Sequence, residues 1–230
     1  MKLPPFKLER YFARYEFAVE HLLCCSDCES MAVGELLALE PDARGQFEQH
    51  WLGYTESLGA PSLRAEIACI YQTVEPEQVL VFSGAEEAIF LFAHTLLGVG
   101  DHLIVHWPCY QSLAEVARSV GCQVSPWIAR RENGWALDPD DLEFLIRPST
   151  KAIIVNTPHN PTGYLMPKPL WAEVNRIAQA HGLVLFSDEV YRESEYAPGD
   201  RLPAACDVNP VALSLGVMSK TYGLAGLRIG

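Results

Sequence analysis

The sequence lacks a long apolar run, an excess of positive charge and an even set of cysteines. Every apolar stretch falls short of the roughly 18 residues that a membrane-spanning helix needs, and charges and prolines occupy the start, where a signal peptide would be apolar. Lysine and arginine number 17 against 29 acidic residues, so the net charge of −12 disfavours binding to a nucleic-acid backbone. These absences predict a cytoplasmic protein that acts on neither membranes nor nucleic acids.

The seven cysteines fit reduced thiols better than a disulfide framework. Three of them form a CCSDC cluster from Cys24 to Cys28 that contains C-x-x-C. No second Cys or His pair at zinc spacing accompanies the cluster, so no metal site is predicted. The remaining four stand alone in apolar stretches and are expected to be buried: Cys69, Cys109, Cys122 and Cys206.

Short apolar segments alternate with amphipathic ones along the 230 residues. The predicted strands are 79–82, 102–106, 122–127, 152–156, 183–186 and 211–215. The predicted helices are 8–23, 61–71, 86–97, 111–120, 138–146 and 170–181. Strands that are apolar throughout are covered on both faces by crossover helices. The pattern therefore predicts an α/β fold with a mostly parallel central sheet flanked by helices.

Ligands of such sheets bind at the carboxyl ends of the strands, which directs attention to the residues that follow each strand. The segment Ser83-Gly84-Ala85-Glu86 has two interpretations. Its backbone N–H groups could hold a phosphate at the start of a helix, or Ser83 and Glu86 could form a capping box with S-x-x-E spacing. The turn matches neither a Walker A loop nor G-x-G-x-x-G, which disfavours a nucleotide site.

Two further strand ends carry polar groups. The run from Asn156 to Gly163, NTPHNPTG, contains two prolines and could hold the Asn160 amide in a fixed position, although a tight turn would explain it too. Asp188 follows LVLFS at the mouth of a buried strand and therefore needs a cationic or strong donor partner, unless it is a cap. Tyr191 lies three residues on.

The last segment, from Ser219 to Gly230, reads SKTYGLAGLRIG. A lysine enclosed among small residues can become a nucleophile, and Arg228 could bind a phosphate; an exposed glycine-rich loop is the alternative. The segments together meet one chemical need. Pyridoxal phosphate requires a lysine, an acid facing its pyridine nitrogen, donors to its ring hydroxyl, an aromatic face and an anion site.

The sequence resembles the class I/II aminotransferases, which are fold-type I pyridoxal-phosphate enzymes. NPTG, SDEVY and SK…GLRIG occur in the family's order, and the likeness runs from YTESLG, which begins at Tyr54, to the end of the chain. The resemblance implies transfer of an amino group between an amino acid and a 2-oxo acid. It implies Lys220 as the aldimine lysine and proton carrier, and Asp188 as the partner of the pyridine nitrogen.

The resemblance also assigns the remaining contacts of the cofactor. Asn160 and Tyr191 would bond its ring hydroxyl, and Tyr110 would stack on its ring. Tyr54 would reach the phosphate in a neighbouring subunit, which implies a homodimer. The phosphate cradle would comprise Gly84, Ala85, Glu86, Ser219 and Arg228.

The sequence departs from the family pattern at Val217, where the family usually has Ser or Thr. One phosphate contact is therefore missing, or Ser219 replaces it. Residues 1–50 are expected to form an N-terminal segment on the substrate side, and residues 51–230 a large cofactor domain that is incomplete at its C-terminus. Two other interpretations stay open: a lyase or cyclase of the same fold, and a non-catalytic fragment. His102 and His106 are predicted to be structural, and Glu9 to lie on a solvated helix face.

Overall fold

Five parallel strands form one sheet in the computed structural model, which describes residues 3–230. Their spatial order is β2-β1-β3-β4-β5, and every neighbouring pair is parallel. This arrangement confirms the predicted fold class. The strands are β1 (His102–Trp107), β2 (Gln123–Ile128), β3 (Thr150–Asn156), β4 (Val184–Asp188) and β5 (Ala212–Leu215).

The described part of the chain contains nine α-helices, of which α5 to α9 pack on the sheet. Pro61 and Pro139 each occupy the first turn of a helix, where a missing N–H costs nothing. The helices are α1 (Lys7–Tyr15), α2 (Val33–Leu37), α3 (Ala43–Glu48), α4 (Pro61–Ala68), α5 (Ala85–Leu96), α6 (Gln111–Ser119), α7 (Pro139–Leu145), α8 (Lys168–Ala180) and α9 (Ala205–Val208).

Alternate residues of the central strands enter two separate apolar clusters, one on each face of the sheet. Ile153 of β3 packs with residues of α7 and α8, including Leu142 and Trp171. Its neighbour Ile154 packs on the other face with residues of α5 and α6, including Ile89 and Leu113. Burial on both faces explains why the middle of β1 and of β3 is apolar, as LIV and AIIV.

The strand order reverses between β1 and β3, because the chain runs from β1 to β2 on one side and then returns to place β3 on the other. In open α/β sheets a crevice forms at this point, outside the carboxyl ends of the strands. The register places Asn156 beside Asp188 at that same edge. The loops after β1 and β3 and the end of β4 therefore meet there.

Two predicted elements were wrong. Residues 79–82 form no strand: within the described chain, Phe82 exchanges both backbone hydrogen bonds with Gly230, and Leu80 is half exposed. Val81 N–H bonds a different segment, at the Leu58 carbonyl oxygen, so these bonds do not form a continuous strand ladder. The first helix ends at Tyr15 rather than near residue 23, and Phe17 beyond it is almost fully exposed, so nothing packs on a further turn.

The surface of the chain also corrects the prediction for one cysteine. Cys122 is buried and Cys109 and Cys206 are half-buried, but Cys69 is exposed, as is the cluster from Cys24 to Cys28.

No helix within residues 3–230 has both the length and the apolar character needed to cross a membrane.

Candidate active site

The loops that follow β1 and β3 are joined across the crevice. His159 Nε2 lies 2.8 Å from the Pro108 carbonyl oxygen, and His159 Nδ1 lies 2.6 Å from the Thr162 hydroxyl. The first contact fixes the loop that carries Tyr110 against the loop that carries Asn160. Burial lowers the pKa of His159 to about 4, so the ring is neutral at physiological pH and bridges the loops without adding charge.

Asn160 and Tyr191 form a direct pair at the carboxyl edge of the sheet. The Asn160 amide donates to the Tyr191 hydroxyl at 2.9 Å, and that hydroxyl in turn donates to the Ser26 hydroxyl at 2.9 Å. Tyr191 also packs against the apolar cluster formed with α5 and α6. Asn160 and Tyr191, which the family resemblance assigns to the same ring hydroxyl, are thus adjacent, although they follow different strands.

Asp188 ends β4 and is only 5% exposed. Burial is the main cause that raises its pKa, to about 7, and the carboxylates of Glu86 and Glu189 add to the rise. The Val190 N–H, 3.3 Å from Oδ1, acts in the opposite direction. No cation of the described chain contributes, so the cationic partner expected from the sequence is not supplied by these residues. The site therefore holds a buried carboxyl group suited to a cationic or donor ligand.

Asn156, the last residue of β3, connects Asn160 with Asp188. Its side-chain oxygen accepts from the Asn160 N–H at 2.7 Å, and its amide donates to the Asp188 carbonyl oxygen at 2.9 Å. The side chain is buried, so these bonds are made in a low-dielectric environment. No motif in the sequence pointed to a separate role for Asn156. Its place at the end of an apolar strand was the one available signal.

Lys220 lies in the loop after β5, and its ammonium group forms an ion pair with Asp27. The Ser26 hydroxyl is 3.4 Å from Nζ, so the lysine is also close to the oxygen that accepts from Tyr191. The Thr221 hydroxyl holds this loop in place by donating to the Arg192 carbonyl oxygen at 2.6 Å, and it also lies 3.2 Å from the Val190 carbonyl oxygen. The alternative of a freely solvated lysine is not what the structure shows.

The start of α5 forms a close junction with Arg228. Gly84 has φ +88°, and a Cβ atom there would lie 2.6 Å from Arg228 Nη2, so only glycine lets the guanidinium approach. Arg228 itself has φ +55° and ψ +48°, a left-handed conformation that is costly for a side-chain-bearing residue. A strained residue that puts a cation at a helix N-terminus marks a candidate anion site.

The capping-box interpretation of Ser83 and Glu86 was wrong. Glu87 accepts the hydrogen bond from the Ser83 N–H at 2.6 Å, and Gly84 is the N-cap residue. The Glu86 carboxylate instead accepts from the Ser112 hydroxyl at 3.1 Å, and burial raises its pKa. Its side chain is thereby engaged by α6, which leaves the backbone N–H of residues 85 and 86 at the helix start.

Tyr110 packs at the opposite side of the crevice. Its hydroxyl donates to Glu9 of α1 at 3.3 Å, and its ring meets Phe6 edge to face with centroids 4.9 Å apart. Burial raises the pKa of Tyr110, and Glu86 and Glu9 add to this rise. Glu9 was predicted to lie on a solvated face; it is exposed but bonded to the crevice. Isolated charges on a short helix gave no signal of this contact.

Three remaining candidates lie apart from these bonded groups. Ser219 is half-buried beside Lys220, and Val217 packs against the apolar cluster shared with α5 and α6. Apolar packing therefore stands where the family pattern has a hydroxyl. Tyr54 is fully exposed in the segment before α4 and is not brought to the crevice by this chain.

The two histidines of β1 serve the core. His102 Nδ1 lies 2.8 Å from Thr150 Oγ1 and Nε2 lies 2.9 Å from Ser125 Oγ, so its ring bridges the neighbouring strands. His106 is buried and stacks on His159 with centroids 3.7 Å apart. Burial and the adjacent His159 lower the pKa of His106 to about 3. These contacts confirm the structural interpretation.

The described chain thus has a buried acid, an amide–phenol pair, a partly exposed lysine and a glycine–arginine junction in loops that follow the strands of a parallel α/β sheet. The family model for aminotransferase class I and II matches residues 27–230. The chain therefore belongs to this family, as the motifs predicted.

Individual relatives agree with this assignment. A PLP-dependent aminotransferase from Streptococcus suis superposes with a TM-score of 0.92 at 34% identity, over 100% of this chain and 62% of that one. Capreomycidine synthase of Streptomyces vinaceus is 33% identical over 99% of this chain and 59% of its own length. Arginine–pyruvate transaminase of Pseudomonas aeruginosa is 34% identical over 77% of this chain and 47% of its own. The chain thus spans about half to three fifths of these relatives.

Proposed function

We propose that this chain supplies the cofactor site of a pyridoxal-phosphate-dependent aminotransferase, which moves an amino group between an amino acid and a 2-oxo acid. The observation that carries the proposal is the convergence of Asn160, Asp188, Tyr191 and Lys220 at one edge of the sheet. They come from the loops after β3 and β5 and from the end of β4 and its following turn. Membership of the aminotransferase family supports the same reaction.

The crevice fits pyridoxal phosphate on its own chemistry. Asp188 is a buried carboxyl group with a raised pKa, and a protonated pyridine nitrogen would supply the positive donor that such a group needs. The junction of Gly84 and Arg228 joins a helix N-terminus to a guanidinium, which suits a phosphate dianion. A ligand with a basic ring and a phosphate needs both an acid and an anion site, and the chain offers one of each.

Each candidate site residue would then have a defined role. Asp188 would hold the proton on the pyridine nitrogen, Asn160 and Tyr191 would bond the ring hydroxyl, and Tyr110 would cover a ring face. Lys220 would bind the cofactor covalently and would also carry a proton between substrate atoms. When bound, pyridoxal phosphate supplies an electron sink for the substrate α-carbon. The phosphate contacts are assigned to the N–H groups of Gly84, Ala85 and Glu86, to Ser219 and to Arg228.

Borohydride reduction tests the assignment of Lys220. Incubation with pyridoxal phosphate should give visible absorbance, and borohydride should then fix one cofactor to a peptide that contains Lys220. Lys220→Ala should abolish both signals, whereas Lys151→Ala, which removes an exposed lysine beside Asp101, should keep them. Absorbance unchanged in Lys220→Ala would refute the tether, and a wild-type protein without absorbance would favour the non-catalytic interpretation.

A second variant tests Asp188. Asp188→Ala should retain some cofactor but lose most turnover, because the electron sink weakens.

A homodimer is part of the proposal. Tyr54 is fully exposed, and the nearby Trp51 and Leu52 are largely exposed, so this segment offers apolar surface to a second copy. Within such a dimer Tyr54 would reach the partner's phosphate. Sedimentation should therefore give twice the monomer mass, and Tyr54→Ala should weaken cofactor binding only in the dimer. A monomer that binds cofactor with unchanged affinity in Tyr54→Ala would contradict this part.

We also propose that residues 1–50 form a substrate-side segment and residues 51–230 the cofactor domain. Contacts of Phe6 and Glu9 with Tyr110 support the first assignment. A cytoplasmic location is consistent with seven cysteines that are all free.

A lyase or cyclase reaction is the second candidate. The match to capreomycidine synthase extends over 99% of the chain, whereas the match to the arginine–pyruvate transaminase covers 77%. Incubation with amino acids and 2-oxo acids distinguishes the two reactions. A new 2-oxo acid means transamination, and a product formed without any amino acceptor means elimination or cyclisation.

A further inference from the structure

Residues 26–30, here named the strap, lie against the lysine loop at three points. The Ser26 hydroxyl accepts from the Tyr191 hydroxyl at 2.9 Å and is 3.4 Å from Lys220 Nζ, and the Asp27 carboxylate pairs with the same ammonium. Farther along, a Cβ atom on Gly223 would lie 2.4 Å from the Glu29 carbonyl oxygen. The strap backbone therefore packs directly on the turn that follows Lys220.

The strap engages two groups that the proposed function assigns to the cofactor. Tyr191 has a single hydroxyl proton, so it donates either to Ser26 or to the ring oxygen, but not to both. Lys220 has to present a lone pair on Nζ to bond the cofactor, and an ammonium held by Asp27 has none to offer. Both contacts must give way before the lysine and the tyrosine can serve the cofactor.

We propose that Ser26 and Asp27 compete with pyridoxal phosphate for Tyr191 and Lys220, so that the strap has to be displaced when the cofactor attaches. The inference rests on the proposed function. In the attachment step Lys220 Nζ releases a proton to solvent and forms a bond to the aldehyde carbon. The aldehyde oxygen leaves as water, so no oxidant or reductant is needed. The cost of the step includes the loss of the Asp27–Lys220 ion pair.

The geometry makes Asp27 the stronger competitor. Its carboxylate is 44% exposed and the lysine side chain 25% exposed, so solvent screens the pair. Loss of a partly exposed ion pair of this kind should change the dissociation constant of the cofactor about two- to five-fold. Ser26 contributes a neutral hydrogen bond on an exposed residue, and its removal should have a smaller effect in the same direction.

Cofactor titration of Asp27→Asn and Ser26→Ala tests the proposal in the whole chain. The dissociation constant is read from absorbance, and the rate of attachment from the fraction fixed by borohydride at successive times. Asp27→Asn should lower the dissociation constant about two- to five-fold and speed attachment. Glu20→Gln is the matched control, because it removes one negative charge from the same N-terminal region beside His21 and should change neither quantity.

Hydrogen exchange of the strap gives an independent readout. Residues 26–30 should exchange faster after the wild-type chain is loaded with cofactor, and Asp27→Asn should show faster exchange even before loading. If wild type and Asp27→Asn bind the cofactor equally well, or the variant binds it more weakly, the competition is refuted while the proposed function stands. If neither wild type nor any variant binds the cofactor, both the competition and the proposed function are refuted.

Discussion

The side-chain amide of Asn156 donates a hydrogen bond to the main-chain carbonyl of Asp188 across the β3–β4 pair, at 2.9 Å. The side-chain oxygen of Asn156 accepts a hydrogen bond from the Asn160 N–H. One buried residue thus sets the positions of the acid proposed for the pyridine nitrogen and of the amide proposed for the ring hydroxyl. Two cofactor contacts on different strands are therefore coupled through a single side chain.

Replacement of Asn156 should damage both contacts at once. Asn156→Ala removes two buried hydrogen bonds and leaves an N–H without its acceptor, so the free energy of unfolding should fall by about 2 kcal/mol and cofactor affinity about ten-fold. Urea unfolding and absorbance titration measure the two effects. Asn175→Ala is the control, because Asn175 is buried in α8 and bonds Trp171. The Asn175→Ala variant should be less stable but should bind the cofactor with unchanged affinity. An equal loss of affinity in both variants would mean that Asn156 acts only through the stability of the fold.

The buried carboxyl of Asp188 predicts a pH-dependent stability. Its pKa is raised to about 7 in the folded chain, against 3.8 for an aspartate in water. Between about pH 4 and 7 the folded state therefore binds more protons than the unfolded state, and the free energy of unfolding falls as pH rises through this window. Asp188→Asn removes this dependence and should be the more stable protein at pH 7.5, by up to about 4 kcal/mol.

Urea unfolding at pH 4.5, 5.5 and 7.5, in protein purified free of cofactor, measures this difference. The stability of wild type relative to Asp188→Asn should decline steadily over the series. A difference that does not change with pH would mean that Asp188 is not protonated in the folded chain.

The Tyr191 hydroxyl predicts a spectroscopic effect. If it donates to the ring oxygen of the bound cofactor, Tyr191→Phe should raise the pH midpoint of the cofactor's absorbance change by about one unit, since one charge-assisted hydrogen bond is lost. Tyr164→Phe changes a half-buried tyrosine that packs on the other face of the sheet and should leave the midpoint in place. A midpoint that stays constant in Tyr191→Phe would remove this tyrosine from the ring hydroxyl.

Replacement of Arg228 should affect the stability of the fold and the binding of the cofactor in opposite directions. Its left-handed backbone is strained, so Arg228→Gly should preserve or raise the melting temperature. The same change removes the guanidinium beside Gly84 and should weaken binding of pyridoxal phosphate about ten-fold or more, while binding of phosphate-free pyridoxal changes little. Arg228→Lys should recover part of the phosphate affinity. Equal losses for the two cofactor forms would contradict a phosphate contact.

Local pattern and tertiary contact made different contributions to the fold. Apolar segments such as LIV in β1 and AIIV in β3 required burial on both faces, and this predicted the parallel sheet. The segment at residues 79–82 has the same local composition, but its backbone makes only scattered hydrogen bonds among the described residues, with Pro76, Leu58 and Gly230. A strand depends on a neighbour, and composition does not reveal which neighbour the fold provides.

By itself the sequence determined the fold class, the family and the residues placed at the strand ends, because buried strands, stiff turns and motif order are local properties. Only the tertiary structure decided how those residues are used. The Asn156 side chain bonds the end of β4, Gly84 is the N-cap of α5 while Glu87 bonds the Ser83 N–H, and the strap reaches Lys220 from almost two hundred residues away. Hydrogen bonds and ion pairs depend on distances of a few ångströms between atoms. The folding of the whole chain sets those distances.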